Sequence, residues 1–280
     1  MELVIMSIIG SLFFASFIGA TVVLSFLFGI FYSTYYYDGS ERDGRRHWSR
    51  LKHLLARLSF PLQKYYFSYE VIYHGEGLEQ LVNDYQRKET ALFVGCPHGL
   101  IAISSLFITA LCQQKSHWDE VTPCIHRHVF AIPFLRDLAL WLGAIDVSKE
   151  NIIQRLKTHS IYLASGGCRE MIIDVENDGI QQKHKGFLRL AYQEKKLIFP
   201  IIHRGQEKVF PSYTCRWLDK ARHIILDMTG YPFPSFFIGP LPSKLTSHIF
   251  APHNPSHYTT EDEFIDAYYK KLISLREQAQ

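Results

Sequence analysis

The sequence has few features of a disulfide-rich, redox or nucleic-acid-binding protein. Its five cysteines are an odd number without a C-x-x-C pair, in a chain too long to need disulfide bridges, which predicts reduced thiols in the cytosol. Thirty Lys and Arg are scattered among 27 Asp and Glu, for a formal net charge of only +3. Because a nucleic-acid-binding surface needs a concentrated basic field, we expect no nucleic acid as a partner.

Several catalytic signatures and domain markers are also missing. No G-x-S-x-G elbow occurs, which argues against an α/β-hydrolase esterase, and no Walker or dinucleotide-type glycine loop is found. There are no internal repeats and no long linker, and 47% hydrophobic residues are ample for a buried core. We therefore expect a single globular domain over residues 65–280.

The N-terminal segment, residues 3–37, carries no formally charged side chain. One membrane-spanning helix needs about 20 residues, so the run predicts either one long transmembrane helix or a hairpin that folds back near Gly19. A cleaved signal peptide is disfavoured because Glu2 replaces the basic start and the apolar run is too long. Residues 1–37 are thus predicted to be a membrane anchor, with the bilayer as a partner.

Residues 38–64 form a basic segment directly after this run. The positive-inside bias predicts that this side, and with it the globular domain, faces the cytosol. Within the segment, residues 47–62 place leucines at near-helical spacing among basic residues, which fits a helix on the membrane surface and a core helix equally well. The basic residues are Arg42, Arg45, Arg46, Arg50, Lys52 and Arg57.

After residue 64, short strand-like runs alternate with helical patterns, which predicts an α/β domain with a central sheet flanked by helices. Strands are expected at 65–73, 91–95, 161–164 and 197–203, and helices at 100–112, 134–142, 152–157 and 186–194. Thr260 and Glu263 form a capping box that predicts a final helix. The prolines between residues 232 and 255 predict irregular structure.

A histidine lies in a tight turn at the end of the predicted strand 91–95, in the sequence Pro97-His98-Gly99. Open α/β sheets bind ligands just beyond the carboxyl ends of their strands, so His98 is placed to act as a general base. Gly99 leaves the approach to His98 open. The helix expected from Leu100 would offer free N–H groups to a developing negative charge.

A second turn follows the predicted strand 161–164. Gly166 and Gly167 open it, and Arg169 and Glu170 are expected on the first turn of a helix. Glu170 is suited to orient His98 or to hold a substrate hydroxyl, and Arg169 to bind a phosphate or carboxylate. The alternative is a structural histidine and an ordinary glycine turn.

Two other groupings are weaker. Cys124, His126 and His128 are close in sequence but no second ligand cluster has metal spacing, so we expect no metal site. Cys96 as an acylated nucleophile is disfavoured because Pro97 restricts its geometry toward His98 and no other orienting group is evident.

Four blocks together resemble the diacylglycerol O-acyltransferase type 2 family, which includes monoacylglycerol and wax-ester acyltransferases. Phe93-Val-Gly-Cys-Pro-His-Gly99 resembles the family signature Tyr/Phe-x-x-His-Pro-His-Gly. The remaining blocks follow in family order over residues 65–245. They are Pro133-Phe-Leu-Arg136-Asp137, Gly166-Gly167-Cys-Arg-Glu170 and His184-Lys185-Gly186-Phe187.

The resemblance implies a glycerolipid-acyltransferase-like fold, a central mixed sheet flanked by helices, in the endoplasmic reticulum membrane. It implies transfer of a fatty acyl group from acyl-CoA to a neutral lipid hydroxyl, diacylglycerol first, with acyl-CoA as co-substrate and without metal or prosthetic group. Homo-oligomerisation stays open. His98 would be the base and Glu170 its orienting or substrate-binding partner. The other positions implied to contact substrate are Pro97, Gly99, Arg136, Gly166, Gly167, Arg169, Lys185 and Gly186.

The two basic residues among these positions have alternatives: Arg136 and Lys185 would meet the coenzyme A phosphates, or form a structural ion pair and a solvated lysine. Departures from the family bear on the acceptor and on His98. Cys96 replaces the first family histidine, and Ile103 stands where glycerophosphate acyltransferases carry an orienting aspartate. Arg169 gives the glycine-pair block the pattern Gly-Gly-x-Arg-Glu, which resembles that of related phytyl-ester and glycerolipid acyltransferases. The alternatives are a lysophospholipid or glycerophosphate acyltransferase and a catalytically silent lipid-binding membrane protein.

Overall fold

The computed structural model describes residues 16–30, 32, 38–111, 120–132, 134–171, 184–213, 216–229 and 236–279. The chain divides into two compact units, residues 1–40 and residues 41–280. In the first unit, residues 16–30 are helical; the rest of the predicted anchor, apart from residue 32, lies outside the described residues. Within the described ranges, no helix combines the length and apolarity needed to cross a membrane.

The second unit is a mixed α/β domain built on a seven-stranded sheet, as predicted. The described strands are β1 Glu70–His74, β2 Leu92–Cys96, β3 Thr122–Ile125, β4 Ile145–Asp146, β5 Ile161–Ala164, β6 Ile198–Arg204, β7 Ser212–Tyr213, β8 Phe236–Phe237 and β9 Thr246–Phe250. The sheet order is β1-β9-β6-β2-β5-β3-β4, and β7 pairs separately with β8. Within the large sheet, β6 and β9 are antiparallel and the other neighbours are parallel.

Helices cover both faces of this sheet. The described α-helices are α1 Ser40–Asp43, α2 Ser49–Pro61, α3 Leu78–Arg87, α4 Ile103–Thr109, α5 Arg127–Phe130, α6 Leu135–Trp141, α7 Lys149–Arg155, α8 Gly186–Gln193, α9 Gln206–Val209, α10 Arg216–Thr229 and α11 Glu261–Gln278. Short turns of other helical types occur at Leu62–Tyr66, Gly167–Met171 and Pro255–His257.

The central strand β2 is buried along its whole length, because both faces of the sheet are covered. On one face, Leu92 and Val94 pack in a cluster that includes residues of α8 and α11. On the other face, Phe93 packs with Phe199 and with Val82 of α3. The apolar run that predicted this strand is thus explained by burial on two sides.

The predictions for the centre of the domain are confirmed. Strands expected at 91–95, 161–164 and 197–203 correspond to β2, β5 and β6. The capping box before α11 is present, since the Thr260 hydroxyl oxygen accepts a hydrogen bond of 3.3 Å from the Glu263 backbone N–H. The other predicted helices correspond to α4, α6, α7 and α8 with shifted ends.

Two predictions near the sheet edge are wrong. The predicted strand 65–73 begins only at Glu70, because the helical turn Leu62–Tyr66 continues α2, with the Phe67 N–H bonded to the Leu62 carbonyl at 3.0 Å. The region 232–255 is not irregular throughout. It contains β9, which is fully buried between β1 and β6.

Helix α2 packs on the domain, which confirms the core alternative considered for residues 47–62 for one side of the helix. Ala56 is buried in a cluster with Phe67 and Phe107, so one side of the helix packs on the domain. Leu58 is 67% exposed and Trp48 is 51% exposed. Apolar side chains are therefore exposed on the open side of α2 and directly before it.

Candidate active site

His98 lies in the turn that follows the central strand β2, at the carboxyl edge of the sheet. The Cys96–Pro97 peptide bond is cis, and Gly99 has φ +61°, a left-handed conformation that favours glycine. The His98 side chain is buried, with 8% of the residue exposed. The imidazole at this strand end is therefore shielded from bulk water.

The His98 ring is held by the Gly167 carbonyl. Its Nε2 lies 2.5 Å from that oxygen. A carbonyl oxygen only accepts hydrogen bonds, so Nε2 carries the proton and, in the neutral ring, Nδ1 carries the lone pair. Gly167 therefore fixes the tautomer of His98, a role that the sequence did not indicate.

Glu170 is the second buried ionisable group of the turn, with 2% of the residue exposed. Its Oε2 accepts a 2.9 Å hydrogen bond from the His98 backbone N–H and lies 4.0 Å from the His98 ring Nε2. Burial raises the pKa of Glu170, while His98 and the backbone hydrogen bond oppose the rise. The carboxyl group thus holds the turn directly and acts on the ring through its charge.

Gly166 leaves the space that Glu170 occupies. A Cβ atom at residue 166 would lie 1.8 Å from Glu170 Cδ and 2.0 Å from its Oε1. Gly167 has φ +55°, so it too favours glycine for backbone reasons. Both glycines therefore have a structural function within the site, in addition to the substrate approach predicted for them.

Glu170 lies in a 3-10 turn, Gly167–Met171, rather than in the first turn of an α-helix. Arg169 belongs to the same turn, and the contacts predicted for its side chain lie outside the described part of the structure.

The first two N–H groups of helix α4 are not free, contrary to the sequence prediction. It begins at Ile103, whose N–H donates to the Ile101 carbonyl at 2.8 Å. The next N–H, of Ser104, donates to the Gln206 side-chain oxygen at 2.8 Å. These two N–H groups are therefore already bonded within the protein, and the prediction is wrong for them.

Gln206 is a site residue that sequence reasoning missed. It is 2% exposed, and besides accepting from Ser104 it donates from Nε2 to the Pro97 carbonyl at 2.9 Å. One amide thus links the His98 turn to the start of α4. Its place just beyond the carboxyl end of β6 was the signal that could have identified it.

A buried polar network lies beside β2. The Tyr162 hydroxyl is 2.6 Å from the Ser105 hydroxyl and 2.8 Å from His203 Nε2, and His203 Nδ1 is 2.9 Å from the Ser247 hydroxyl. Burial lowers the pKa of His203 to about 3, so the network is neutral at physiological pH. A Cβ on Gly95 would lie 2.0 Å from the Tyr162 hydroxyl, which explains this glycine in the centre of the sheet.

The two residues predicted to contact coenzyme A, Arg136 and Lys185, lie in different environments. Arg136 is 3% exposed and forms an ion pair of 3.0 Å with Glu41, which is the structural alternative considered for it. Lys185 is exposed at the start of α8, and Gly186 has open space around it. The structure therefore brings together His98, Glu170 and the glycine pair, and it places Arg136 in a buried ion pair.

The weaker groupings also have structural explanations. Burial raises the pKa of the Cys96 thiol, first through desolvation and then through Glu170, so a reactive thiolate is disfavoured there. His126 caps α5, its Nδ1 accepting from the His128 N–H at 3.4 Å. In the described ranges, no three His, Cys, Asp or Glu side chains cluster in a way that could hold a metal ion.

Three relatives illustrate what the chain is similar to. It is 28% identical to diacylglycerol O-acyltransferase 2 of Dictyostelium discoideum over 72% of this chain and 62% of that protein. It is 26% identical to diacylglycerol O-acyltransferase 2B of Umbelopsis ramanniana over 64% and 50%. It is 29% identical to acyl-CoA wax alcohol acyltransferase 1 of Homo sapiens over 41% and 38%. The chain thus spans between 38% and 62% of the length of these relatives.

Among solved structures, the chain matches the crystal structure of the 1-acyl-sn-glycerophosphate (LPA) acyltransferase PlsC from Thermotoga maritima with a TM-score of 0.49 and 13% identity, over 80% of this chain and 76% of that one. The sequence comparison, unlike this structural match, identifies a family. The diacylglycerol acyltransferase family model matches residues 14–237, which is most of the chain. The chain therefore belongs to the diacylglycerol acyltransferase family.

Proposed function

We propose that the protein is a membrane-bound acyltransferase that moves a fatty acyl group from acyl-CoA to the hydroxyl of a neutral lipid, with diacylglycerol as the first candidate acceptor and triacylglycerol as product. The observation that carries the proposal is the buried His98 and Glu170 pair at the end of the central strand, with the His98 ring oriented by Gly167. Membership of the diacylglycerol acyltransferase family supports the choice of substrates.

His98 is the general base in this mechanism. Its Nδ1 takes the proton of the acceptor hydroxyl as the hydroxyl oxygen attacks the thioester carbonyl carbon. The tetrahedral intermediate then collapses, the carbon–sulfur bond breaks, and the coenzyme A thiolate leaves and takes a proton from the imidazolium. Such general-base catalysis contributes about 10²–10⁴ in rate.

Glu170 stabilises the imidazolium that forms during this step. Its Oε2 lies 4.0 Å from the ring Nε2, in a buried environment where Coulomb attraction is weakly screened. Glu170 also positions His98 through the backbone N–H. It is therefore a positioning and electrostatic partner, and the proton goes to His98.

The Gly99 N–H is the proposed donor to the tetrahedral oxyanion. It follows His98 directly, and within the described residues no hydrogen bond of this N–H to another protein group is observed. One such donor is worth about 10²–10³ in rate. The Ile103 and Ser104 N–H groups of α4 are already bonded, so Gly99 is the proposed donor.

A bilayer supplies the acceptor in this proposal. The uncharged run 3–37 is proposed as the membrane anchor, in the endoplasmic reticulum, with the domain on the cytosolic side. The exposed Leu54 and Leu58 of α2, with Trp48 directly before the helix, support a domain surface that lies on the membrane.

The test is acyl transfer by membranes that carry the full chain. Wild type, His98→Ala and the control His257→Ala, an exposed histidine near α11, are incubated with labelled oleoyl-CoA and separate acceptors. The acceptors are monoacylglycerol, diacylglycerol, a long-chain alcohol and lysophosphatidate, and the products are resolved by mass.

A neutral ester formed by wild type and by His257→Ala, and lost in His98→Ala, is the expected result and identifies the acceptor. A product from lysophosphatidate alone would replace the neutral acceptor by a phospholipid precursor. If no acceptor gives a product that depends on His98, the proposed activity is wrong and a non-catalytic lipid-binding function takes its place.

A further inference from the structure

A cavity lies at the amino edge of the sheet, on the opposite side from His98. It has a volume of about 360 Å³ and is bordered by Thr90 before β2, Thr122 at the start of β3 and His159 before β5. Because these three strands are parallel, their amino ends share one edge. The five residues of β2, each about 3.3 Å long, separate this cavity from the His98 turn by roughly 16 Å.

The wall of this amino-edge cavity is strongly cationic. Two carboxylates, Glu89 and Glu120, face an excess of basic side chains. Lys88 Nζ is already paired with Asp84 Oδ1 at 2.8 Å, which leaves an excess of two formal positive charges along the wall. The basic residues are Lys52, Arg87, Lys88, Arg155 and Lys157.

Two of these cations are built into the fold. Lys52 is only 3% exposed, although it lines the cavity. Arg155 donates from Nε to the Thr122 hydroxyl at 2.8 Å, and burial lowers the pKa of Arg155. A buried cation attracts an anion more strongly than one in water because the surrounding dielectric is low.

Two hydroxyl groups add hydrogen-bond donors to this charge. Thr122 accepts from Arg155, and Thr90 accepts from Lys196 at 2.7 Å. A hydroxyl that accepts still has its own hydrogen to donate. In the described part of the chain neither hydroxyl donates to another protein group, so both can bond to an anionic oxygen.

We propose that the amino-edge cavity binds a phosphate group, carried either by the headgroup of an anionic phospholipid or by a soluble phosphorylated metabolite. Arginine, lysine and hydroxyl donors around one pocket are the chemistry that holds phosphate oxygens. The site is separate from the proposed acyl transfer at His98. Its ligand would act on this edge of the domain, next to α2.

Binding is measured by calorimetry on the full chain in a neutral detergent. The probes are inorganic phosphate, glycerol 3-phosphate and dioctanoyl phosphatidate. The cavity variant is Arg87→Gln with Lys157→Gln, since both side chains are exposed at the rim. The matched control is Lys220→Gln with Lys270→Gln, which removes the same charge at exposed positions outside the cavity.

We expect saturable binding that weakens about 10-fold in the cavity variant, as for two exposed ion pairs, and less than about 2-fold in the control. Phosphatidate that binds at least about 10-fold more tightly than glycerol 3-phosphate identifies the lipid headgroup, and equal affinities identify the metabolite. The absence of binding of all three probes, or an equal loss in both variants, overturns the proposal. If the double variant does not fold, each single substitution is measured in its place.

Discussion

The substitution Gly166→Ala tests whether the first glycine of the pair exists to seat Glu170. The new methyl group would lie 1.8 Å from Glu170 Cδ, a distance that neither atom can keep. Either the backbone shifts, at an overpacking cost of about 1–3 kcal/mol, or Glu170 leaves. In the second case the charge-assisted hydrogen bond to the His98 N–H is lost, at about 1.5–3 kcal/mol.

Gly186→Ala is the matched control for this substitution. Gly186 belongs to the same set of predicted substrate-contact glycines, but a Cβ there meets nothing within 4 Å. The two variants therefore add the same methyl group to two glycines of that set, and only one of them touches Glu170.

The assay combines thermal unfolding of the full chain in detergent with acyl transfer. A loss of about 3 kcal/mol lowers the unfolding midpoint by about 6–12 °C in a domain of this size. A turn misplaced by about 1 Å lowers kcat/KM about 10²-fold. Gly166→Ala is expected to show both effects, and Gly186→Ala no loss of stability. Wild-type stability and activity in Gly166→Ala would refute the reasoning.

Three further predictions concern the buried polar groups. Glu170→Gln keeps a carbonyl oxygen for the His98 N–H. Because burial raises the folded-state pKa of Glu170, wild type loses stability relative to this variant as pH rises above the ordinary pKa of 4.5. Urea unfolding should therefore show that the variant is more stable than wild type at pH 7 but not at pH 4, and its kcat should be lower. Gln206→Ala leaves the Ser104 N–H and the Pro97 carbonyl unpaired and should lower the free energy of unfolding by about 2–5 kcal/mol in the same unfolding measurement. An unchanged midpoint would contradict the proposed link between the His98 turn and α4. Arg136→Ala leaves Glu41 as a buried unpaired charge and should cost about 3–5 kcal/mol, whereas a raised KM for acyl-CoA at wild-type stability would assign Arg136 to coenzyme A.

The centre of the sheet could be predicted because its physics is local and repetitive. Strands β2, β5 and β6 are buried on both faces, so their sequences are continuous apolar runs, and the turns after β2 and β5 contain glycines. The order of parallel strands then predicts that His98 and Glu170 lie at one edge. In the structure, the Glu170 carboxylate accepts a hydrogen bond from the His98 backbone N–H.

Strand β9, which lies between β1 and β6, could not be predicted in the same way. Thr246, Ser247 and His248 are polar, and prolines precede them, yet the strand is buried because its polar side chains find partners. The Ser247 hydroxyl, for example, bonds to His203 at 2.9 Å and to the Tyr69 hydroxyl at 3.0 Å. Such pairing depends on residues far away in the sequence, which a local pattern does not contain.

The same limit explains the site residues that were missed. Gln206 has no special neighbours in sequence, and its function arises from contacts with Pro97 and Ser104, about a hundred positions earlier. The Gly167 carbonyl belongs to the backbone, so no side-chain motif reveals that it holds the His98 ring. Motifs predicted which residue types meet, while the hydrogen bonds between them required the structure.

The most direct test of the proposed site is a double-mutant cycle between His98 and Glu170, with kcat/KM for acyl transfer measured in wild type, His98→Ala, Glu170→Gln and the double variant. Because Glu170 acts through His98, we expect His98→Ala to lower kcat/KM about 10²–10⁴-fold and Glu170→Gln to have no further effect in that background. Wild-type activity in His98→Ala, or effects that multiply in the double variant, would contradict the account.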